Sequence, residues 1–243
     1  RMAQEEAPGE HHLELIPMPG VNQKRILQEL KLGRGDFNVF FTGFSDERER
    51  DLLQVDIPIS RGLLGHRIFI IRQESVEQMR QMRTLADLRR GITVGSGIGW
   101  PDTEIFRHAG FQVHEALYEN LWPMLAAGRY MGFNRGLHEA YVELEQRVGA
   151  HPGITIDDSV MVVYPFDYFF YFNRQDLEHY VIVQQGLINA YDNGRFMEHF
   201  NSHPMIRKVI ADANPSQRRV FRLFNPLLTE RVRAIPQRYW HQF

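Results

Sequence analysis

The chain has 243 residues, 43% hydrophobic and 24% charged, with a net charge of -2. That composition belongs to a packed globular chain and excludes a disordered or fibrous one, and the balanced charge excludes a global field drawing it to nucleic acid or anionic lipid. The absence of cysteine excludes disulfides, thiolate metal sites and thiol nucleophiles together, and suits an oxidising compartment.

Arg1 to His12 is polar, lacks the pattern of a signal sequence and reads as a lead-in, so any targeting segment falls outside this sequence. Leu13 to Ile16, stopped by Pro17 and Pro19, predicts a strand end, and Val21 to Leu32 carries apolar residues at helical spacing. Phe37 to Thr42 predicts a strand buried on both faces, as parallel strands are. Ser45 stands at an N-cap ahead of Asp46 and Glu47, where a short helix begins. Arg67 to Arg72 predicts a strand, Val76 to Arg90 a polar helical segment and Ile92 to Gly95 another strand. Pro101 opens a helix to His108. Further on, Val113 marks a strand centre, Leu117 to Ala127 a helix, Tyr130 to Asn134 a strand and Leu137 to Arg147 a helix. Ile154 to Ile156, Val160 to Val163 and Tyr168 to Phe172 read as strands, followed by helices at Leu177 to Tyr191 and Arg195 to Phe200 and a less regular tail. Alternating strands and helices predict an α/β fold with parallel sheets. No apolar run reaches the roughly 18 to 20 residues of a membrane span.

Four segments then resemble the family 3 extracellular solute-binding proteins. They are RILQELKLGRGDFNVFFTGFSDERERDLLQV at 25–55, on which Asp36 and Arg48 fall at pattern positions, TLADLRRGITVGSG at 84–97, LAAGRYMGFNRGLHE at 125–139, and the aromatic strand and helix of 168–194. The resemblance implies a two-lobed fold of the type II periplasmic-binding-protein kind, closing about a hinge of two crossover strands near Arg67 to Ile71 and Tyr168 to Phe172. Lobe one is then 1–71 plus 171–243 and lobe two 72–170. Measured against the family, the chain opens near the second strand, so the first strand and helix, which line one cleft wall, are missing. Gly132 stands where the third segment usually has an acid, which removes a carboxylate for an ammonium and argues against ordinary amino acids as ligands.

The family position implies that Arg48 takes a ligand carboxylate, a task for which a guanidinium fork is suited; a solvated helix charge is the competing reading, with Arg50 an equal contender by composition. Thr42 and Phe44 end the preceding strand, where open α/β sheets meet ligands. Ser96, Gly97 and Gly99 lie between a strand and a helix start, a place for an anion or a plain tight turn. Trp100 either stacks on a solute or packs. Asn134 and Arg135 sit where the third segment's strand meets a helix, with Arg135 offering a cationic contact or merely pairing with Glu139 four residues on. His138 and Glu139 match no metal motif. Of the aromatic segment Tyr164 and Tyr168 to Phe172, alternation puts some side chains toward a cleft and most into the core, and Tyr168 is the candidate for the cleft.

Neither a nucleophile elbow, a carboxylate pair nor a metal set is present in the sequence, so no catalytic residue, cofactor or metal ligand is assigned and the chain reads as a binder, not an enzyme. The expectation is a periplasmic protein that binds a small anionic solute between its lobes for a transporter or receptor. The alternative is a ligand-free structural or adaptor protein of the periplasm whose partner is another protein. Neither reading involves nucleic acid or membrane insertion.

Overall fold

The computed structural model describes residues 1–241, and the chain divides into two compact units. In chain order the elements are α1 (Met2–Glu6), α2 (Gln23–Lys31), β1 (Val39–Gly43), α3 (Asp46–Asp51), β2 (Leu53–Gln54), β3 (His66–Arg72), α4 (Val76–Gln81) and α5 (Leu85–Gly91). There follow β4 (Thr93–Gly97), α6 (Pro101–His108), β5 (Gln112–Ala116), α7 (Tyr118–Ala126), β6 (Gly132–Gly136), α8 (Leu137–Arg147), β7 (Ile154–Ile156) and β8 (Val160–Val163). Last come β9 (Tyr168–Phe172), α9 (Leu177–Asp192), α10 (Arg195–Ser202), α11 (Pro204–Asp212), β10 (Arg219–Arg222) and α12 (Glu230–Arg233). No described helix is long and apolar enough to cross a membrane.

The first unit is 1–61, 167–203 and 227–243. Its sheet has the order β1-β9-β2, antiparallel throughout. β1 is therefore not the doubly buried parallel strand its sequence predicts: Phe41 is 54% exposed, in edge-to-face contact with Tyr168 on β9. Ser45 caps α3 as expected, its hydroxyl accepting from Arg48 N. Leu13 to Ile16 is no strand but exposed chain, because no neighbouring strand supplies a ladder. The polar lead-in instead forms α1, which docks on α9 where Gly186 leaves room for Ala3. Asn189 Nδ2 donates to Glu6 O at 2.8 Å, and Arg195 pairs with Glu5 and Glu6.

The second unit is 62–166 and 204–226. Its sheet has the order β10-β8-β3-β6-β4-β5, with β7 also on β3. β4 is parallel to β5 and β6, and β10 to β8, whereas β3 is antiparallel to β6, β7 and β8, so the sheet is mixed and not parallel throughout. Ile68, Phe69, Ile70 and Ile71 are fully buried along β3, and Trp122, Leu121, Leu125 and Phe133 complete the core on one face. The polar stretch 76–90 splits into α4 and α5, since Thr84 begins a new helix in a capping box with Asp87.

The unit boundaries differ from the expected 71/72 and 170/171. β3 lies wholly in the second unit because it is the hub of that sheet, and β9 wholly in the first as the partner of β1 and β2. The tail 204–226, expected in lobe one, belongs to the second unit through β10 on β8 and the Lys208–Glu145 pair of α11 and α8. Arg61, at the end of the first stretch, has φ 55° and donates to Arg238 O and Trp240 O at 3.0 Å each, while His241 N donates to Arg61 O at 2.6 Å.

Two outcomes follow from this packing. A side chain at Gly186 would place Cβ 1.6 Å from Ala3 O. Gly186→Ala is therefore expected to lower stability by about 1–2 kcal/mol in denaturant titration and to expose the first residues to proteolysis. Burial, with the Arg61 charge adding, lowers the His241 pKa below 6.5. The unfolded chain takes up that proton first, so this contribution to stability is complete above the unfolded value and is lost as pH falls from it toward the lower folded value. The unfolding midpoint is expected to drop more between about pH 7 and pH 5.5 in the parent than in His241→Gln.

Candidate functional site

In the first unit, β1 ends in Thr42 and Gly43, and the first turn of α3 brings Arg48 back over them. The Arg48 side chain is 8% exposed. It donates to Thr42 Oγ1 at 3.1 Å, to Gln23 Oε1 at 3.1 Å and to the Gly43 carbonyl. Arg50, its rival in the sequence, pairs with Asp46 on the surface at 2.9 Å. Phe44 is a core residue, 1% exposed and edge-on to Phe169. Tyr168 is half-buried on β9, opposite Gly43.

The other candidates belong to the second unit, and there the structure brings Ser96, Gly97, Trp100, Asn134 and Arg135 to the ends of β4 and β6. Ser96 and Gly97 are not loop residues but the last of β4, paired with Glu115 and Ala116 of β5. The Ser96 hydroxyl accepts from Thr103 Oγ1 at 2.9 Å. The Trp100 ring lies over Gly97, where a Cβ would be 2.2 Å from it. The first turn of α6 contributes Pro101, which has no N–H, and Asp102, a carboxylate at the positive end of the dipole. An anion cradle at 96–99 is thus filled from within, by a ring above the glycine and an acid at the helix start. Asn134 is fully buried, with Nδ2 donating to Gly95 O at 2.8 Å and Oδ1 without a partner among the described groups.

Arg135 does pair with Glu139, at 3.0 Å, but not on the surface, since Arg135 is 6% exposed. Its stronger partner is Glu143, to which Nε and Nη2 donate at 2.7 and 2.6 Å. The guanidinium is therefore committed to carboxylates and is not held out for an anionic ligand. Gly132 faces the core: a Cβ there would meet Ile92 Cδ1 at 2.4 Å and Phe69 Cδ1 at 3.0 Å. An acid at 132 would sit among these apolar side chains, so the glycine carries no argument about ammonium recognition.

A buried network joins these residues that the sequence reading did not include. Arg67, on β3 and 2% exposed, donates Nε to Tyr164 Oη at 3.0 Å, pairs through Nη2 with Asp102 and reaches Glu139 at 3.5 Å. Tyr164 Oη donates to the same Asp102 oxygen, and Glu139 Oε2 also accepts Gly136 N at 2.8 Å, capping α8. Burial opposes the Arg67 charge, but Asp102, Tyr164 and Glu139 outweigh it and hold its pKa above the usual value. Burial likewise pushes the Tyr164 hydroxyl up, and it stays protonated as a donor. The signal available in the sequence was an arginine inside the apolar run His66–Ile71, a charge that burial tolerates only when paired. Asp102→Asn is expected to cost about 3–5 kcal/mol by thermal or denaturant unfolding, because it leaves Arg67 buried with less opposing charge. Among the described residues no group of three His, Asp or Glu side chains is placed to hold a metal ion.

No protein-family model matches the chain, and no curated protein matches it. Solved structures do. A putative ABC-transporter binding component from Wolinella succinogenes, complexed with lysine, has TM-score 0.59 at 12% identity, over 78% of this chain and 77% of that one. The amino-acid ABC-transporter substrate-binding protein AbpA from Streptococcus pneumoniae, bound to L-arginine, has TM-score 0.58 at 15% identity, over 82% and 77%. A Salmonella typhimurium periplasmic binding protein described for high arginine specificity has TM-score 0.55 at 14% identity, over 74% and 76%. Together with the two α/β units, these likenesses show that the chain has the fold of the type II periplasmic substrate-binding proteins of amino-acid ABC transporters.

Proposed function

We propose that this chain is a solute-binding protein of the periplasm that takes a small carboxylate-bearing solute on Arg48 and delivers it to a transporter or receptor. The observation that carries the reading is the placement of Arg48: a guanidinium at the end of a strand, held by a hydroxyl, a backbone carbonyl and an amide. A guanidinium fork suits a planar anion. The fold supports the same reading, as its structural neighbours are substrate-binding proteins. Binding and release, not chemistry, is then the activity, and a hinge between the units provides the motion.

A second reading is favoured by the second unit. Ser96, Asn134 and Arg135 all spend polar groups on the chain itself, as expected of a scaffold that has kept the fold and binds another protein instead.

A thermal-shift screen of mono- and dicarboxylates and the common amino acids separates the two. Solute binding raises the melting temperature with concentration, by the equivalent of about 2.7 kcal/mol at a hundredfold excess over Kd. Arg48→Lys is expected to weaken the response about tenfold or more, since an ammonium replaces the fork. A screen without any concentration-dependent shift overturns the solute reading and leaves the scaffold.

A further inference from the structure

The second unit contains a guanidinium site, and the structure assigns Arg135 as its tethered occupant. Three rings and two carboxylates converge on this one side chain. The Arg135 Cζ lies 4.8 Å from the centroid of Trp100, 5.4 Å from Phe133 and 5.6 Å from Tyr118. Trp100 and Phe133 are nearly parallel at 18°, so the cation is met by stacked faces. Glu143 takes the fork edge with both oxygens, at 2.6 and 2.7 Å, and Glu139 adds a third contact at 3.0 Å. Aromatic faces and a bidentate carboxylate are the two groups that suit a planar, weakly hydrated cation.

The cage is assembled from four separate elements, and this distinguishes it from an ordinary ion pair along one helix. Trp100 precedes α6, Tyr118 opens α7, Phe133 is on β6, and the two glutamates are on α8. Three of the five walls have a reason to be there without Arg135. Trp100 packs over Gly97, Phe133 is wedged edge-on to Trp122 at 5.2 Å, and Glu139 caps α8. The cage also has a mouth, because Trp100, Tyr118 and Glu143 are only partly buried. Arg67, by contrast, is sealed at 2% exposure within its own acid network. Removing the Arg135 side chain would therefore leave a partly open cavity of negative charge and aromatic surface. A free guanidinium compound has the shape and charge to fill it. While Arg135 is in place, the second unit is closed to cationic amino acids at this position, whether or not Arg48 receives a solute.

Chemical rescue tests the inference. Arg135→Ala is titrated with methylguanidinium chloride in the millimolar range against matched sodium chloride, following melting temperature and the fluorescence of the cage tryptophan. The variant is expected to melt below the parent and to recover in a saturable way, whereas the parent does not respond. Adding Glu143→Gln is expected to weaken the rescue about tenfold. Methylammonium, which cannot form the fork, is expected to be inferior to methylguanidinium. Should Arg135→Ala fail to fold, refolding with and without methylguanidinium reads the same property: recovery only in its presence supports the site, and recovery in neither buffer counts against it. Equal responses of parent and variant, or a rescue that Glu143→Gln leaves untouched, would overturn the assignment and leave Arg135 as a structural ion pair.

Discussion

The second unit depends on one buried charge. Arg67 is carried on β3, the strand that pairs with β6, β7 and β8, and its burial shields it from bulk solvent. It must find anionic or polar partners inside the protein. It finds Asp102 from the start of α6, Glu139 from the start of α8 and the Tyr164 hydroxyl just beyond β8. Ion pairs this deep add little net stability, since desolvation offsets most of the attraction, but loss of one partner is costly. The charge therefore couples two helix starts and a strand end to the middle of the sheet. None of these can shift without leaving charge behind.

That coupling decides what chemistry the unit has left to offer. Glu139 is shared by Arg67, Arg135 and the backbone of Gly136, so Arg135 is drawn into the same alternation of sign and passes it to Glu143. Burial pushes the Glu143 carboxyl up against the pull of Arg135, and burial with the Glu143 charge pushes the Tyr118 hydroxyl up to about 12. The chain of charges ends at the half-buried rim and is complete without a ligand. The anionic-solute reading rests on the first unit, where Arg48 donates to Thr42, Gln23 and the Gly43 carbonyl.

Local rules carried most of the secondary structure. Pro101 at a helix start, Ser45 at a cap, and the runs at 137–147, 154–156, 160–163 and 168–172 have in the structure the bounds their sequence predicts. Strand direction was not legible. An aromatic run such as Phe37 to Thr42 has the same composition whether its neighbour runs parallel or antiparallel, and only the partner, β9, settles that. The charge network was hidden for the same reason. Arg67 meets Asp102 and Tyr164 at sequence separations of 35 and 97, and each alone reads as something simpler: a strand-edge cation, a dipole-matching acid, a core tyrosine. Four family-like segments gave the fold because order along the chain survives divergence, but they could not say whether a residue at a family position keeps a free functional group.

The glycines make that last distinction concrete. A glycine at the end of a strand leaves an open space beside the backbone, and the same space serves an anion or a ring. In this chain rings and aliphatic groups take it. A Cβ at Gly95 would fall 2.3 Å from the Tyr130 ring, one at Gly97 2.2 Å from Trp100, and one at Gly132 2.4 Å from Ile92. Gly97, which reads as ligand-facing, and Gly132, which reads as a lost acid, are thus close-packing positions of β4 and β6, as is Gly95. The space they free is what lets Trp100 settle over Gly97, and from there it reaches both Phe133 and Arg135. The absence of a side chain at 97 is therefore a precondition for the aromatic wall that holds the guanidinium. The space beside these glycines is thus taken up by the protein's own side chains.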